Sequence, residues 1–287
     1  MGPRLPLEVV ELIIDNVAAG SYYISDFSRF YYDLSTTKAC ALVCHSFLPL
    51  CRKHMFASVS LNVPGYYFPS PTSDDLNDLL SNSPHLAVYI RRLEYHVHKK
   101  EFVRKRLPWL LPMFKKLVNL RNLSLSYTLP QRGKKFDWTL SCVRKVLLPL
   151  LHFPTLTCIT LDILRNFDLA DLAGCVNLKK LRVQSLECSA PNGVGKFMEV
   201  LPATPAMLEW LAIDNGNVKP VQQLCGARRP DGKPIIDFSS LKKIIAKVTR
   251  LDSMTELFGM CGNLHKIDLI SMSHPHFYLV IHMTLLL

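Results

Sequence analysis

The chain has 287 residues, 49% hydrophobic and 20% charged, a balance that fits one or two folded domains with a large core and excludes a disordered chain. Its apolar runs fall short of the ~18–20 residues of a membrane span, and Glu8, Glu11 and Asp15 inside the first apolar segment argue against a signal peptide. The net charge of +11 is concentrated, because thirteen Lys and Arg stand between positions 91 and 135 against two acids, whereas residues 1–61 sum to zero.

At the N-terminus Pro6 suits the first turn of a helix, where its missing N–H costs nothing. Val10, Ile13, Ile14 and Val17 follow at helical spacing, Val9 and Leu12 widen the stripe, and Gly20 ends it. Glu8 and Glu11 sit near the positive end of this helix dipole. Residues 21–34 form an aromatic connection. Ser35 is placed as the N-cap of a second helix that carries Ala39, Leu42, Val43 and Phe47 on one face. Pro49 opens a third helix to Phe56, and Phe56-x-x-Val59-x-Leu61 reads as a strand.

Leu5-Pro6-x-Glu8-Val9-x-x-x-Ile13-Ile14, then Ala41-Leu42-Val43-Cys44-x-x-Phe47, then Cys51-Arg52-x-His54-x-Phe56, resembles an F-box of the fungal type. The resemblance covers residues 5–56, with a longer connection at 19–34 than is usual and Phe47 where Trp is common. It implies three helices that dock on the Skp adaptor of a cullin–RING ubiquitin ligase, with Leu5, Pro6, Val9, Ile13, Leu42, Val43 and Phe47 as contacts. The same amphipathic pattern also fits a plain cap on a repeat domain behind it.

Beyond residue 56 a unit apolar-x-x-apolar-x-apolar recurs. It appears as Phe56/Val59/Leu61, Ile90/Leu93/Tyr95, Leu120/Leu123/Leu125, Leu156/Ile159/Leu161, Leu178/Leu181/Val183, Leu208/Leu211/Ile213, Leu241/Ile244/Ala246 and Leu264/Ile267/Leu269. The leading residues are 34, 30, 36, 22, 30, 33 and 23 apart, so no single repeat length applies. In each unit the last two apolar positions alternate as a half-buried strand requires. Helical pattern lies between units, as at Val143–Leu148 and Leu169–Leu172. Asn119, Pro154, Asn177, Pro205 and Asn263 stand just before a unit or close to it, where they suit a turn into a strand. Strand-plus-helix units stack into a solenoid with a parallel sheet, since one unit cannot bury its own faces. They resemble irregular leucine-rich repeats. The expected fold is therefore α/β: a three-helix F-box-like unit at 1–56, then an irregular leucine-rich-repeat-like solenoid at 57–287. An unrelated domain of βα units is the alternative. The apolar tail 276–287 either marks missing last repeats or folds back as a final strand.

The basic stretch is a solvated face or a site for an acidic or phosphorylated partner, with Arg91, Arg92, Lys99, Lys100, Arg104, Lys105 and Arg106 as candidates. No zinc-finger, helix-turn-helix or RRM signature points to nucleic acid. Cys40, Cys44 and Cys51 fall at intervals of four and seven and read as one packed helix face, not a zinc knuckle. Asn192–Phe197 departs from a phosphate loop, and no nucleophile elbow or zinc-protease motif occurs. The expected protein is a non-enzymatic, cofactor-free ubiquitin-ligase substrate adaptor with a protein target on its repeats. It has no membrane segment, and its cysteines are reduced in the cytosol or nucleus. The alternatives are a repeat-based scaffold with no ubiquitin role and a nucleic-acid-associated protein using 91–135.

Overall fold

A computed structural model describes residues 6–20, 35–63, 70–97, 107–127, 136–139, 141–188, 204–214, 219–229, 231–247, 255–274 and 277–284. The protein is α/β, built on one sheet of nine strands of which eight run parallel. In chain order the strands are β1 (Ser58–Leu61), β2 (Arg92–Val97), β3 (Asn122–Tyr127), β4 (Phe136–Asp137), β5 (Cys158–Asp162), β6 (Leu164–Arg165) and β7 (Lys180–Gln184). Then come β8 (Ala206–Met207), β9 (Trp210–Asp214), β10 (Ile236–Asp237), β11 (Lys243–Lys247), β12 (Lys266–His274) and β13 (Phe277–Thr284). The large sheet reads β1-β2-β3-β5-β7-β9-β11-β12-β13, while β4–β6 and β8–β10 make two small side sheets. Its strand order therefore follows the chain without a reversal. The apolar tail supplies β13, which runs antiparallel to β12.

The register explains the sequence pattern. Val59 pairs with Leu93, Leu93 with Leu123, Leu123 with Ile159, Ile159 with Leu181, Leu181 with Leu211, Leu211 with Ile244 and Ile244 with Ile267. The last apolar position of each unit forms a second row beside it, from Leu61↔Tyr95 to Ala246↔Leu269. The leading residues Ile90, Leu120, Leu156, Leu178, Leu208, Leu241 and Leu264 are all buried just ahead of their strands. Parallel strands that follow one another in the chain are joined by crossovers, which as a rule are right-handed and so lie on one face. Helices α4 (Ser73–Asn82), α5 (Leu107–Lys115) and α6 (Ser141–Leu151) bury Leu76, Leu80, Leu110, Phe114, Leu147 and Leu150 in the same core as those strand positions. Tyr95 and Phe114 meet edge to face with ring centres 5.6 Å apart.

Spacer length decides what fits between strands. The intervals holding α4, α5 and α6 are 34, 30 and 36 residues. The intervals of 22 and 23 hold a 3-10 segment, Leu169–Gly174, and a five-residue helix, Thr255–Gly259. The pattern at Leu169–Leu172 was thus expected as helix and forms 3-10 turns, because too little chain separates the strands for a longer helix. Within that segment the buried carboxylate of Asp171 accepts hydrogen bonds from Trp138 Nε1 at 2.7 Å and Arg144 at 2.6 Å. Burial pushes this carboxyl up, partly offset by those two donors.

The asparagines before the strands do more than turn the chain. Asn119 Nδ2 donates to the Val88 carbonyl at 2.7 Å, Asn177 to Pro154 at 2.7 Å and Asn263 to Ser239 at 3.0 Å. Each donor stands one residue before a leading apolar residue, and each acceptor stands two before the leading residue of the preceding unit. The same cross-unit staple therefore recurs three times. A hydrogen bond of this kind contributes about 1 kcal/mol net. Asn177→Ala is expected to cost about that much in urea unfolding, and Asn177→Asp more, since it turns an acceptor toward the Pro154 carbonyl.

Candidate docking surface

Helix α1 (Leu7–Gly20) is apolar on more than one face. Val10, Ile14 and Ala18, at i, i+4 and i+8, are buried. Val10 and Ile14 form a small core with Cys51 of α3 (Phe47–Met55), against which Cys40, Ala41, Phe47, Leu50 and Met55 pack in part. This core is separate from the one under the sheet. The remaining apolar residues of α1 have nowhere to go inside so small a unit. Leu7 is 57% exposed, Leu12 62%, Ile13 49% and Val9 39%.

The second helix, α2, runs Ser35–Ala41 and stops before Leu42. Leu42 N–H and Val43 N–H bond three residues back, to Ala39 and Cys40, at 3.1 Å each. This tight turn leaves Leu42 88% and Val43 68% exposed. The expected single helical face from Ala39 to Phe47 is thus corrected, because the turn ends α2 early and Phe47 opens α3. Pro49 falls in the first turn of α3, where its missing N–H is harmless.

Charge fastens α1 to α3. Lys53 Nζ lies 3.1 Å from Glu11 Oε1 and 3.1 Å from Asp15 Oδ1, and His54 Nε2 donates to Asp15 Oδ1 at 2.7 Å. Burial pushes the Asp15 carboxyl up, but hydrogen bonds from His54 and Lys53 outweigh it and hold the group below the usual aspartate range. These pairs are partly exposed, so they orient the helices more than they stabilise them.

Of the residues expected at this surface, Val9, Ile13, Leu42 and Val43 are exposed and Pro6 is exposed at the start of α1. Leu5 lies outside the described residues. Phe47 is half-buried against the small core and is not among the exposed side chains. Leu7 was not expected, and Leu12 was expected only as part of the stripe. The signal for both was an apolar content too high for one buried stripe. The expected packed cysteine face is also corrected: Cys51 is buried in the core and Cys40 packs partly against it, but Cys44 is exposed, and its hydrogen bond with Ser46 holds its thiol below the usual range. Among the described residues no group of three or more His, Cys, Asp or Glu could hold a metal. No described helix is long and apolar enough to cross a membrane.

On the basic stretch, Arg91 is exposed and Arg92 half-buried, whereas Lys99, Lys100, Arg104, Lys105 and Arg106 lie outside the described residues, as does Asn192–Phe197. The register also builds a hydrogen-bonded chain that the sequence reading missed. Ser60 donates to Glu94 at 2.9 Å, Glu94 meets His96 Nε2 at 2.8 Å, and His96 Nδ1 meets Ser126 Oγ at 2.6 Å. A serine, imidazole and carboxylate in line can relay a proton. Here His96 and Ser126 are both buried, and the chain satisfies a histidine that would otherwise lack partners.

No family model matches the chain, and no curated protein is significantly similar. The reading of this surface rests on its chemistry. Ile14→Asp is expected to unfold the N-terminal helices, since it buries a charge. Leu42→Asp is expected to leave the melting curve within about 0.5 kcal/mol of the parent. Circular dichroism melts of the two variants would show it, and equal damage from both would mean that Leu42 is covered.

Proposed function

We propose that the chain is a non-catalytic substrate adaptor of a Skp–cullin–F-box ubiquitin ligase. Its N-terminal helices dock on the Skp adaptor, and its sheet holds a protein target. One observation carries this reading: Leu7, Val9, Leu12, Ile13, Leu42 and Val43 stand exposed on a three-helix unit that already has its own core. A concentration of large exposed apolar side chains at one end of a chain marks a contact surface. Helices with one face packed inward and another left apolar suit a polypeptide partner. The resemblance of 5–56 to an F-box names that partner.

The eight apolar units support the leucine-rich-repeat-like solenoid as the second half of the proposal. Their apolar positions pair in register along the sheet, and the asparagine staples repeat at equivalent positions. Irregular spacers fit irregular repeats. The alternate strand positions, on the face opposite the core, are largely polar at the β1–β7 end and offer hydrogen-bonding groups to a target. Rate enhancement in such an assembly comes from proximity, because tethering raises the effective concentration of target lysines near the ubiquitin donor.

Affinity capture with purified Skp adaptor tests the reading. The parent chain is expected to retain the adaptor, and Leu42→Asp and Ile13→Asp are expected to lose it by at least about tenfold while melting as the parent does. Retention by both variants at parental strength would reject the assignment.

A further inference from the structure

A cleft of about 270 Å³ opens where α3 meets the entries of β1, β2 and β3. Its origin is a size difference at equivalent positions. The strand entry of the first unit carries Ala57 and Ser58, while the next two carry Arg91-Arg92 and Arg121-Asn122. Small residues leave the space and long cationic ones surround it. Lys53 and His54 of α3 close the remaining wall, and no carboxylate lines the cleft.

The charges in this cleft are not equally available. Lys53 is held by Glu11 and Asp15, and His54 by Asp15. Arg92 is steadied by Asn122, whose amide oxygen, in the orientation that satisfies both its ends, accepts from the guanidinium at 3.3 Å while its nitrogen donates to the Arg121 carbonyl at 3.2 Å. Arg91 and Arg121 have no Asp or Glu oxygen within 4.0 Å among the described residues. They occupy successive strand entries, which places their backbones ~4.8 Å apart. Two guanidinium forks at that separation can converge on one tetrahedral oxyanion, each giving two N–H donors. The backbone N–H groups of Arg91 and Arg92 bond the Ala57 carbonyl, and those of Arg121 and Asn122 bond the Arg91 carbonyl, so the donors left for a ligand are side chains.

We propose that this cleft binds a phosphate dianion through Arg91 and Arg121, with Arg92 adding charge. The ligand is orthophosphate or a phosphomonoester on a peptide, which share the same dianionic headgroup. Because the lining comes from both α3 and the sheet, a bound dianion joins the N-terminal helical unit to the strands behind it. The site stands on its own geometry: phosphate binding and adaptor capture can each fail while the other holds.

The test is calorimetric titration of the full chain with sodium orthophosphate against sodium chloride at matched ionic strength, followed by thermal melts in both salts. Saturable phosphate binding and a higher melting temperature in phosphate are expected. The double variant Arg91→Gln/Arg121→Gln is expected to bind at least about tenfold more weakly and to melt as the parent does in chloride. Arg91→Lys/Arg121→Lys, which keeps both charges and loses both forks, is expected to weaken binding as well. A neutral peptide bearing one phosphoserine distinguishes the sources: displacement of orthophosphate by it, and not by its unphosphorylated form, identifies a peptide-borne ligand, and orthophosphate binding alone identifies the free ion. Equal effects of chloride and phosphate would overturn the proposal. So would an undiminished affinity in the glutamine variant, or an equal loss in Lys145→Gln, an exposed cation outside the cleft.

Discussion

The structure depends on keeping two apolar rows in register across eight parallel strands. Every unit places its second and third apolar residues opposite those of its neighbours, from Val59 and Leu61 at one edge to Ile267 and Leu269. A slip of one residue would turn each of these toward the opposite face and bring Arg92, Glu94 or Arg182 into the core. Burial therefore enforces the pairing, and the pairing determines what lies elsewhere. It lines up Arg91 with Arg121 at the strand entries and His96 with Ser126 on the polar face. It also brings each stapling asparagine within reach of the carbonyl in the unit before it.

The N-terminal helices obey a different constraint. A core built around Val10, Ile14 and Cys51 has too little volume to take every apolar side chain of α1. Those left over emerge on the outside with Leu42 and Val43, which the turn after α2 pushes outward. Water around exposed aliphatic surface of this kind is unfavourable, which is what the proposed docking relieves. The ionic contacts of Lys53 and His54 with α1 hold α1 and α3 in one arrangement.

Much of this fold could be read from the chain because its strands carry a strict alternation at recurring positions. All eight apolar units became strands of one parallel sheet, although their spacing varied from 22 to 36 residues. Helical pattern was a poorer guide. Leu169–Leu172 had the pattern and lacked the room, and the stripe drawn from Ala39 to Phe47 crossed a turn that periodicity does not register. Of the exposed residues of α1 the sequence marked Val9 and Ile13 as contacts but not Leu7, and which face turned inward depended on where Cys51 came to lie. The asparagine staples join positions 23 to 31 residues apart, and the cleft and the Ser126–His96–Glu94 chain likewise bring separate strand units together. No local signal marks them, because they exist only once the strands have paired.

Hydrogen–deuterium exchange on the intact chain, with and without purified Skp adaptor, addresses the proposed docking most directly. The account predicts slowed exchange across α1 and the turn after α2, with the strands of the sheet unchanged. Slowing confined to the sheet, or none anywhere in the N-terminal helices, would contradict it.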